Sequence, residues 1–225
     1  IGHSRTFMSE ESKPHNVPLV MLGAALLWFG WFGFNGGSAF AADGLAGLAW
    51  INTTSAACAA LLGWLLVEKV RDKRTTSLGA ASGVVAGLVT ITPAAGALTP
   101  LTSLIAGFIG GILAAFGVGL KYRFRFDDSL DVVGLHLVAG LWGTIACALF
   151  AKEVGLFTGG GADGFKLLAV QLVIATVAAL WCAVVTVIVG LLLKFTMGWR
   201  IAGDAEDSGI DSSLHRESAY RYEMD

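Results

Sequence analysis

Charged side chains are scarce in this chain, because Asp, Glu, Lys and Arg make up only 14% of its 225 residues. Ordinary soluble domains carry roughly 25% charged residues. Apolar residues account for 55% of the sequence, and the mean hydropathy is +0.71. This balance excludes an ordinary soluble domain and predicts a protein that lies in a lipid bilayer.

Long basic runs are also missing, which argues against a nucleic-acid partner. The formal net charge is only -2. The three cysteines, Cys58, Cys147 and Cys182, stand singly in apolar stretches without the spacing of metal ligands, so we interpret them as small core residues. These patterns predict neither a metal nor a cofactor.

The first residues are not expected to be a signal peptide, because no positively charged segment leads into a short apolar core. Residues 1–16, IGHSRTFMSEESKPHN, do not begin with methionine and read like a polar cytoplasmic loop between two membrane spans. We therefore expect that sequence upstream is missing and that the chain is a fragment.

Six stretches approach the roughly 20 apolar residues that a membrane-spanning helix requires. Only four prolines occur, and Pro93 and Pro100, with Gly96 between them, divide an uncharged reach that is too long for one span. Asp43 marks a tight turn between the first two spans. The fold class predicted is an all-α polytopic membrane protein. Its spans are expected at about 17–42, 44–67, 75–94, 100–120, 129–150 and 167–193, within a membrane domain at 17–194 that precedes a cytoplasmic tail at 195–225.

The distribution of positive charge predicts the orientation of these spans. Six spans place both ends of the chain on the same side. Of the 15 Lys and Arg residues, 13 lie in the ends and loops on that side, and only Lys152 and Lys166 lie on the other. Positive charge concentrates in cytoplasmic loops. We therefore expect both termini to be cytoplasmic, in the plasma (inner) membrane.

Glycine is abundant, with 30 residues, although it costs about 1 kcal/mol relative to alanine inside a helix. Gly79, Gly83 and Gly87 form two GxxxG steps, and Gly107 with Gly111 forms another, which predicts close packing of helices in a membrane. The stretch at 151–166 is expected to be a glycine-rich loop. Its GxGxxG pattern lacks the strand and helix of a dinucleotide site, so nucleotide binding is not predicted.

The first span carries an aromatic and polar face. Phe34 and Ser38 are four residues apart and share a helical face with Trp31 and Leu27. Aromatic residues in a span most often pack or face lipid. This face could instead form an aromatic gate with a hydroxyl group beyond it, and aromatic rings attract small cations.

The fifth span, DVVGLHLVAGLWGTIACALF, has one ionisable group after Asp131, the imidazole of His136. Its α-helical neighbours would include Val132 and Gly140. An ionisable side chain inside a membrane segment is costly and by default indicates function. A neutral core histidine that is hydrogen-bonded to a neighbouring helix is the alternative, and the residues alone leave both open.

Several motifs together resemble the ammonium transporter family, which is related to the Rhesus proteins. They are KPHNVP with GWFGFNGGSA, GLVTITPAAG, DDSLDVVGLHLVAGLWG and GIDSSLHRESAY. These motifs occur in the family's order over nearly the whole chain. Family members have eleven transmembrane helices, built as two inverted five-helix repeats plus a last helix. This chain resembles helices six to eleven, the second repeat and the last helix.

The resemblance implies roles for individual residues. Phe34 matches the second phenylalanine of the stacked gate, and Ser38 matches the hydroxyl of the outer ammonium recruitment site. His136 matches the second of the twin histidines that line the hydrophobic pore and share a hydrogen bond. The first histidine, the first gate phenylalanine and the recruitment tryptophan belong to the other half of the family. The remaining matches are Trp31 beside the gate, Leu27 and Val132 in the apolar wall, and Thr92 beside the pore.

The tail is implied to be regulatory. In the family, a PII-type nitrogen-regulatory protein binds the cytoplasmic face and blocks conduction. This sequence departs from the family because Arg216 follows the tail histidine, where Gly is frequent. A lone histidine beside carboxylates is more often solvated or capping than a metal site. We expect the tail to dock on the cytoplasmic loops, because Tyr220 and Tyr222 give it aromatic side chains to bury. Its implied regulatory positions are Gly209, Asp211, His215, Glu217 and Tyr220.

The function implied is nitrogen uptake, in which a homotrimeric channel carries ammonium or ammonia through the membrane. The alternative is an ammonium sensor or regulatory scaffold that signals through the tail. A membrane enzyme is not expected, because no nucleophile and base stand at a suitable spacing. The sequence leaves open whether ammonia or ammonium is the transported species.

Overall fold

The computed structural model of the chain describes residues 3–4, 7–8 and 13–218. Within these residues every regular element is helical, and six segments are long and apolar enough to cross a membrane. The predicted all-α fold with six membrane helices is therefore confirmed. The α-helices are α1 (Val17–Gly37), α2 (Gly44–Arg71), α3 (Ser77–Ile91), α4 (Pro100–Gly117), α5 (Leu120–Phe124), α6 (Ala139–Phe150), α7 (Gly161–Thr196) and α8 (Gly203–Ser208). A 3-10 turn spans Thr92–Ala94, and π-helices span Val133–Val138 and Asp211–His215.

The described residues form two compact units. The first lies between Ser12 and Ala179 and contains α1 to α6 with the beginning of α7. The second begins at Leu180 and contains the rest of α7, α8 and the π-helix of the tail, together with residues 3–4 and 7–8. Within the second unit, α8 contacts the π-helix, and Arg200 forms an ion pair with Glu206.

The first hairpin of the first unit turns earlier than expected. α1 ends at Gly37 rather than near Ala42, because the two consecutive glycines at its end favour helix poorly. α2 then begins at a cap supplied by Asp43, whose carboxylate accepts hydrogen bonds from the backbone N–H groups of Leu45 and Ala46 at 2.9 and 3.0 Å. Such caps satisfy the unpaired donors of a helix start.

Glycine allows α3 and α4 to lie directly on the backbone of α2. A Cβ atom added to Gly87 of α3 would lie 2.6 Å from the Cα atom of Ala57. One added to Gly111 of α4 would lie 2.8 Å from the Cα atom of Ala60. The GxxxG steps of α3 and α4 therefore serve close helix packing, as predicted. Gly79 departs from the pattern because its nearest neighbour is a carboxylate side chain.

That carboxylate belongs to Glu68, which joins the end of α2 to the start of α3. It accepts hydrogen bonds from the indole of Trp64 at 3.3 Å and from the backbone N–H and hydroxyl of Thr76 at 2.9 and 3.0 Å. A buried charge of this kind requires such partners. Nearby, the Arg71 guanidinium donates to Asp72 and lowers the pKa of that exposed carboxyl.

A fully buried amide organises the break between α3 and α4. Asn52 of α2 donates to the carbonyl oxygens of Ala95 at 2.8 Å and Leu98 at 2.7 Å, and accepts from the hydroxyl of Ser103 at 3.3 Å. Carbonyl groups in a non-helical stretch need partners where water is excluded. Asn52 supplies them, so the break predicted from the prolines is held in place from the neighbouring helix.

The cysteines do not share one environment. Cys147 of α6 is buried in the core beside Ile91, as expected. Cys58 and Cys182 are exposed on apolar helix surfaces, so the prediction that all three are core residues was wrong for these two. An apolar run in a membrane protein does not distinguish core from outer surface, because both are apolar.

The glycine-rich stretch before the last span is shorter than expected. α7 begins at Gly161, where φ is +49°, rather than at Leu167. Its first turn holds an ion pair between Asp163 and Lys166 at 2.8 Å, and an acidic group near a helix start is favourable. Residues 161–166 of the predicted loop are therefore helical.

Candidate functional site

Three of the predicted pore residues lie together in the first unit. The indole Nε1 of Trp31 donates a hydrogen bond of 2.8 Å to the hydroxyl oxygen of Thr92. That hydroxyl in turn donates to the carbonyl oxygen of Leu88 at 2.8 Å. The rings of Trp31 and Phe34 are 5.6 Å apart between centroids, tilted by 58°. We call Trp31, Phe34 and Thr92 the aromatic group.

The hydroxyl of Ser38 closes the end of α1, four residues beyond Phe34. It donates a hydrogen bond of 2.7 Å to the carbonyl oxygen of Phe34. A hydroxyl that donates in this way keeps its lone pairs as acceptors. Ser38 is exposed, and the side chains of Phe34 and Leu27 are 60% and 43% exposed. Leu27, Phe34 and Ser38 are therefore presented at the surface of this chain.

Contacts between α1 and α2 hold this face in position. Asn35 is 4% exposed and donates to the hydroxyl of Thr53 at 2.9 Å, which donates to the carbonyl oxygen of Ala49 at 2.6 Å. The rings of Phe32 and Trp50 stack at 4.2 Å. Sequence reasoning did not assign Asn35 and Thr53 to the site. The available signal was a polar side chain within each apolar span, since such groups require partners.

His136 lies on a π-helix rather than on the α-helix assumed from the sequence. The π-helix covers Val133–Val138, and Val132 is the residue that precedes it. The α-helical neighbours predicted for His136 therefore do not apply, because a π-helix bonds each residue to the fifth one along instead of the fourth. π-helical turns occur frequently at functional sites.

The imidazole of His136 has no partner among the described residues. Among the residues that the structure describes, none forms a hydrogen bond, ion pair or ring contact with it, and its side chain is exposed. Val132 is 50% exposed. A core histidine that is hydrogen-bonded to a neighbouring helix of this chain is therefore excluded for the described residues.

Helix α3 supports both parts of the candidate site. α1, which carries Trp31 and Phe34 of the aromatic group, packs on α2 and α3, whereas the π-helix with His136 packs on α3 and α4. At Gly143, two turns beyond His136, α6 lies against the end of α3 and the 3-10 turn that follows, where an added Cβ would lie 2.8 Å from the carbonyl carbon of Thr90 and 3.1 Å from the ring of Pro93. Pro93 directly follows Thr92, so the close packing of α6 occurs next to the aromatic group.

The described tail positions form a local turn in the second unit. Gly209, with φ at +88°, accepts through its carbonyl oxygen from the hydroxyl of Ser213 at 2.6 Å. Asp211 and His215 are the first and last residues of the π-helix. The backbone N–H of Glu217 donates a hydrogen bond of 3.2 Å to the carbonyl oxygen of Asp211. Tyr220, the fifth predicted tail position, lies outside the described residues.

Arg216 is the residue where the sequence departs from the family motif. Its φ is +57°, in the left-handed region that Gly adopts most readily. The turn is therefore present with arginine in a conformation that favours glycine.

Residues 2–220 match the sequence model of the Ammonium Transporter Family. The chain belongs to this family. A protein of Mycobacterium tuberculosis named ammonium transporter is 48% identical over 234 residues, which cover 99% of this chain and 48% of that protein. The chain thus spans about half the length of the curated relatives it matches. The family resemblance predicted from the motifs is confirmed.

Solved structures support the same conclusion. A structure described as a sensor Amt protein matches with a TM-score of 0.85 at 30% identity, covering 95% of this chain and 54% of the other. The crystal structure of Candida albicans Mep2 matches with a TM-score of 0.78 at 37% identity, covering 85% of this chain and 44% of the other. With the six apolar helices, family membership identifies the chain as part of a multi-pass membrane protein.

Proposed function

We propose that this chain forms half of a pore that carries ammonium or ammonia across the membrane. The observation that carries the proposal is the imidazole of His136, which is exposed and unpartnered within the described chain although its helix is apolar. An imidazole facing lipid without a partner is costly. The rest of the pore is expected to supply that partner, a second histidine.

Ammonium would first bind at the outer end of α1. The lone pairs of Ser38 accept a hydrogen bond from an N–H donor, because the hydroxyl itself donates to the carbonyl of Phe34. The aromatic rings add a cation-π attraction of about 0.5 to 2 kcal/mol, depending on desolvation. Both interactions favour a small cation that carries N–H groups.

The Phe34 ring would act as the gate at which ammonium loses its water and its proton. Leu27 and Val132 form the apolar wall beyond it, and such a wall disfavours a charged form. His136 would then bind the dehydrated species and relay the proton. Potassium ions can neither donate a hydrogen bond nor lose a proton, so they are rejected.

Partners of the complete protein are part of this proposal. We expect a homotrimer in the plasma (inner) membrane, with both ends of this chain in the cytoplasm and a PII-type protein bound at the cytoplasmic face. The tail positions Gly209, Asp211, His215 and Glu217 would take part in that regulation. Thr92 holds Trp31 beside the gate through its hydrogen bond.

A sensor role is the second candidate. It is favoured by the similarity to the structure described as a sensor Amt protein, which matches 95% of this chain. In a sensor, ammonium would occupy the same aromatic group but produce a signal in place of sustained flux. Ammonium-dependent binding of a partner without ammonium current would support this alternative.

The test uses the complete transporter that contains this chain, reconstituted into liposomes. His136→Ala is expected to change the ammonium current or to admit potassium, because it removes the polar group of the pore. His15→Ala is the matched control, since that imidazole precedes α1, and it should leave the current unchanged. An unaltered current and unaltered ion selectivity in His136→Ala would refute the proposed role.

A further inference from the structure

Acidic side chains hold the first turn of the π-helix that carries His136. The carboxylate of Asp128 accepts hydrogen bonds from the backbone N–H groups of Val132 at 2.9 Å and Val133 at 2.8 Å. These are donors that a helix start leaves unpaired. The backbone carbonyl oxygen of Asp128 also accepts a hydrogen bond of 3.1 Å from the ammonium group of Lys121. Asp128 therefore links the helix start to the preceding segment.

The same lysine forms an ion pair at this turn. The Nζ atom of Lys121 lies 2.7 Å from the Oδ1 atom of Asp131, and the lysine side chain is only 13% exposed. Asp131 has a φ of +57°, in the left-handed region. A non-glycine residue is strained in that region and stays there only where its surroundings hold it. The ion pair supplies such a constraint immediately before the π-helix.

Close backbone packing leaves the π-helix little freedom beyond this turn. A Cβ atom added to Gly134 would lie 2.5 Å from the backbone nitrogen of Val118, just after α4. Lys121 follows on the short helix α5, which also contacts the π-helix. A slip of one residue would turn a helical side chain by roughly a quarter of a turn. A change of register at Asp131 would therefore turn the side chain of His136.

We propose that Lys121 and Asp131 are a positioning pair that fixes the rotation and depth of the His136 imidazole. This proposal rests on the proposed function, in which His136 lines the pore. The pair would act through His136 and would not touch the transported species. Its effect should therefore fall on the rate of passage and its pH dependence. Binding at Ser38 and the aromatic group, which lie on other elements, should change little.

The first experiment measures ammonium current in the complete reconstituted transporter. In Lys121→Met the maximal rate should fall about tenfold, since small misplacements of a functional group have effects of this size or larger. The half-saturating ammonium concentration should stay nearly constant, and the pH profile should move. Lys121→Arg should retain most of the rate. Lys69→Met, on an exposed lysine at the end of α2, is the matched control and should behave like the unmodified protein.

A charge exchange distinguishes loss of the ion pair from a general disturbance of the structure. Lys121→Asp combined with Asp131→Lys should recover at least half of the rate lost in Lys121→Asp alone, because the pair is rebuilt with reversed polarity. An exchange variant no better than the single reversal would overturn the proposal. So would a Lys121→Met protein whose rate and pH profile match those of Lys69→Met.

A second measurement is independent of transport. In a background with Cys58, Cys147 and Cys182 replaced by serine, His136→Cys is labelled with a maleimide, with and without Lys121→Met. The labelling rate should change by about threefold or more if the side chain moves relative to its surroundings. An unchanged labelling rate would overturn the positioning role. If the unmodified transporter carries no ammonium current, the proposed function is refuted. The labelling result would still decide the role of the pair.

Discussion

The hydrogen bond between Trp31 and Thr92 should be measurable as a coupling energy. It joins α1 to the turn after α3 at 2.8 Å. Trp31→Phe removes the donor, and the hydroxyl of Thr92 keeps its other bond, to the carbonyl oxygen of Leu88. Thr92→Val instead leaves a half-buried indole N–H without its acceptor. The two single substitutions should therefore differ, with Thr92→Val the more damaging.

The magnitudes follow from the net value of a hydrogen bond. Trp31→Phe should lower the free energy of unfolding by about 0.5 to 1.5 kcal/mol, and Thr92→Val by about 1 to 3 kcal/mol. Hydrogen bonds between membrane helices average about 0.6 kcal/mol in double-mutant cycles, so the lower halves of these ranges are expected. The double variant should then be less damaged than the sum of the two by about 0.5 to 1 kcal/mol, which is a two- to fivefold effect.

The assay is reversible unfolding of the complete transporter in mixed detergent micelles, followed by ammonium current in liposomes for each variant. Trp31→Phe combined with Thr144→Val is the control cycle, because the hydroxyl of Thr144 donates only to the carbonyl of Gly140 on its own helix. That pair should be additive. If the Trp31 and Thr92 substitutions also add within about 0.3 kcal/mol, the hydrogen bond does not couple α1 to the turn after α3, and its proposed role in holding Trp31 beside the gate is refuted.

Two further substitutions test the packing and the tail. Gly111→Leu should destabilise the complete protein by about 3 kcal/mol, because a side chain there meets the α2 backbone. Gly47→Leu, on α2 where an added Cβ meets nothing within 4 Å, should be nearly neutral. Equal effects of the two substitutions in the unfolding assay would contradict the packing. Arg216→Gly should relieve roughly 1 kcal/mol of backbone strain, because Arg216 has a left-handed φ. Amide hydrogen exchange in the tail turn should then slow about fivefold. Unchanged exchange would show that the turn is not strained.

The span pattern could be predicted because a membrane helix imposes its length and polarity on the sequence. The six spans, the break at Pro93 and the glycine contacts all follow from local composition. The start of α7 could not be placed, because a glycine run has little helix propensity and the first turn depends on the ion pair between Asp163 and Lys166. Helix ends are therefore determined by individual caps that composition does not reveal.

The partners of buried polar groups could not be predicted either. Sequence shows that Asn35 and Asn52 are polar groups inside apolar spans and that each needs a partner. Their partners are Thr53 for the first, and the carbonyls of Ala95 and Leu98 for the second. These residues are distant in the chain, so only the packing of helices identifies them. The π-helix at His136 was missed for a related reason, since the carboxylate of Asp128 holds its start through hydrogen bonds to the backbone N–H groups of Val132 and Val133, and composition does not reveal these bonds.

The exposed face of this chain also limits what can cover it. Phe34, Leu27 and Val132 are 60%, 43% and 50% exposed, and by themselves they would be compatible with lipid. His136 is not, because an unpaired imidazole in hydrocarbon is costly and has no partner among the described residues. Under the proposed function, we therefore expect the surface that covers this face to be apolar around the phenyl ring and to offer a hydrogen-bonding group opposite the imidazole. A helix bearing a histidine meets both conditions, and the proposed function therefore predicts that this chain alone does not conduct ammonium.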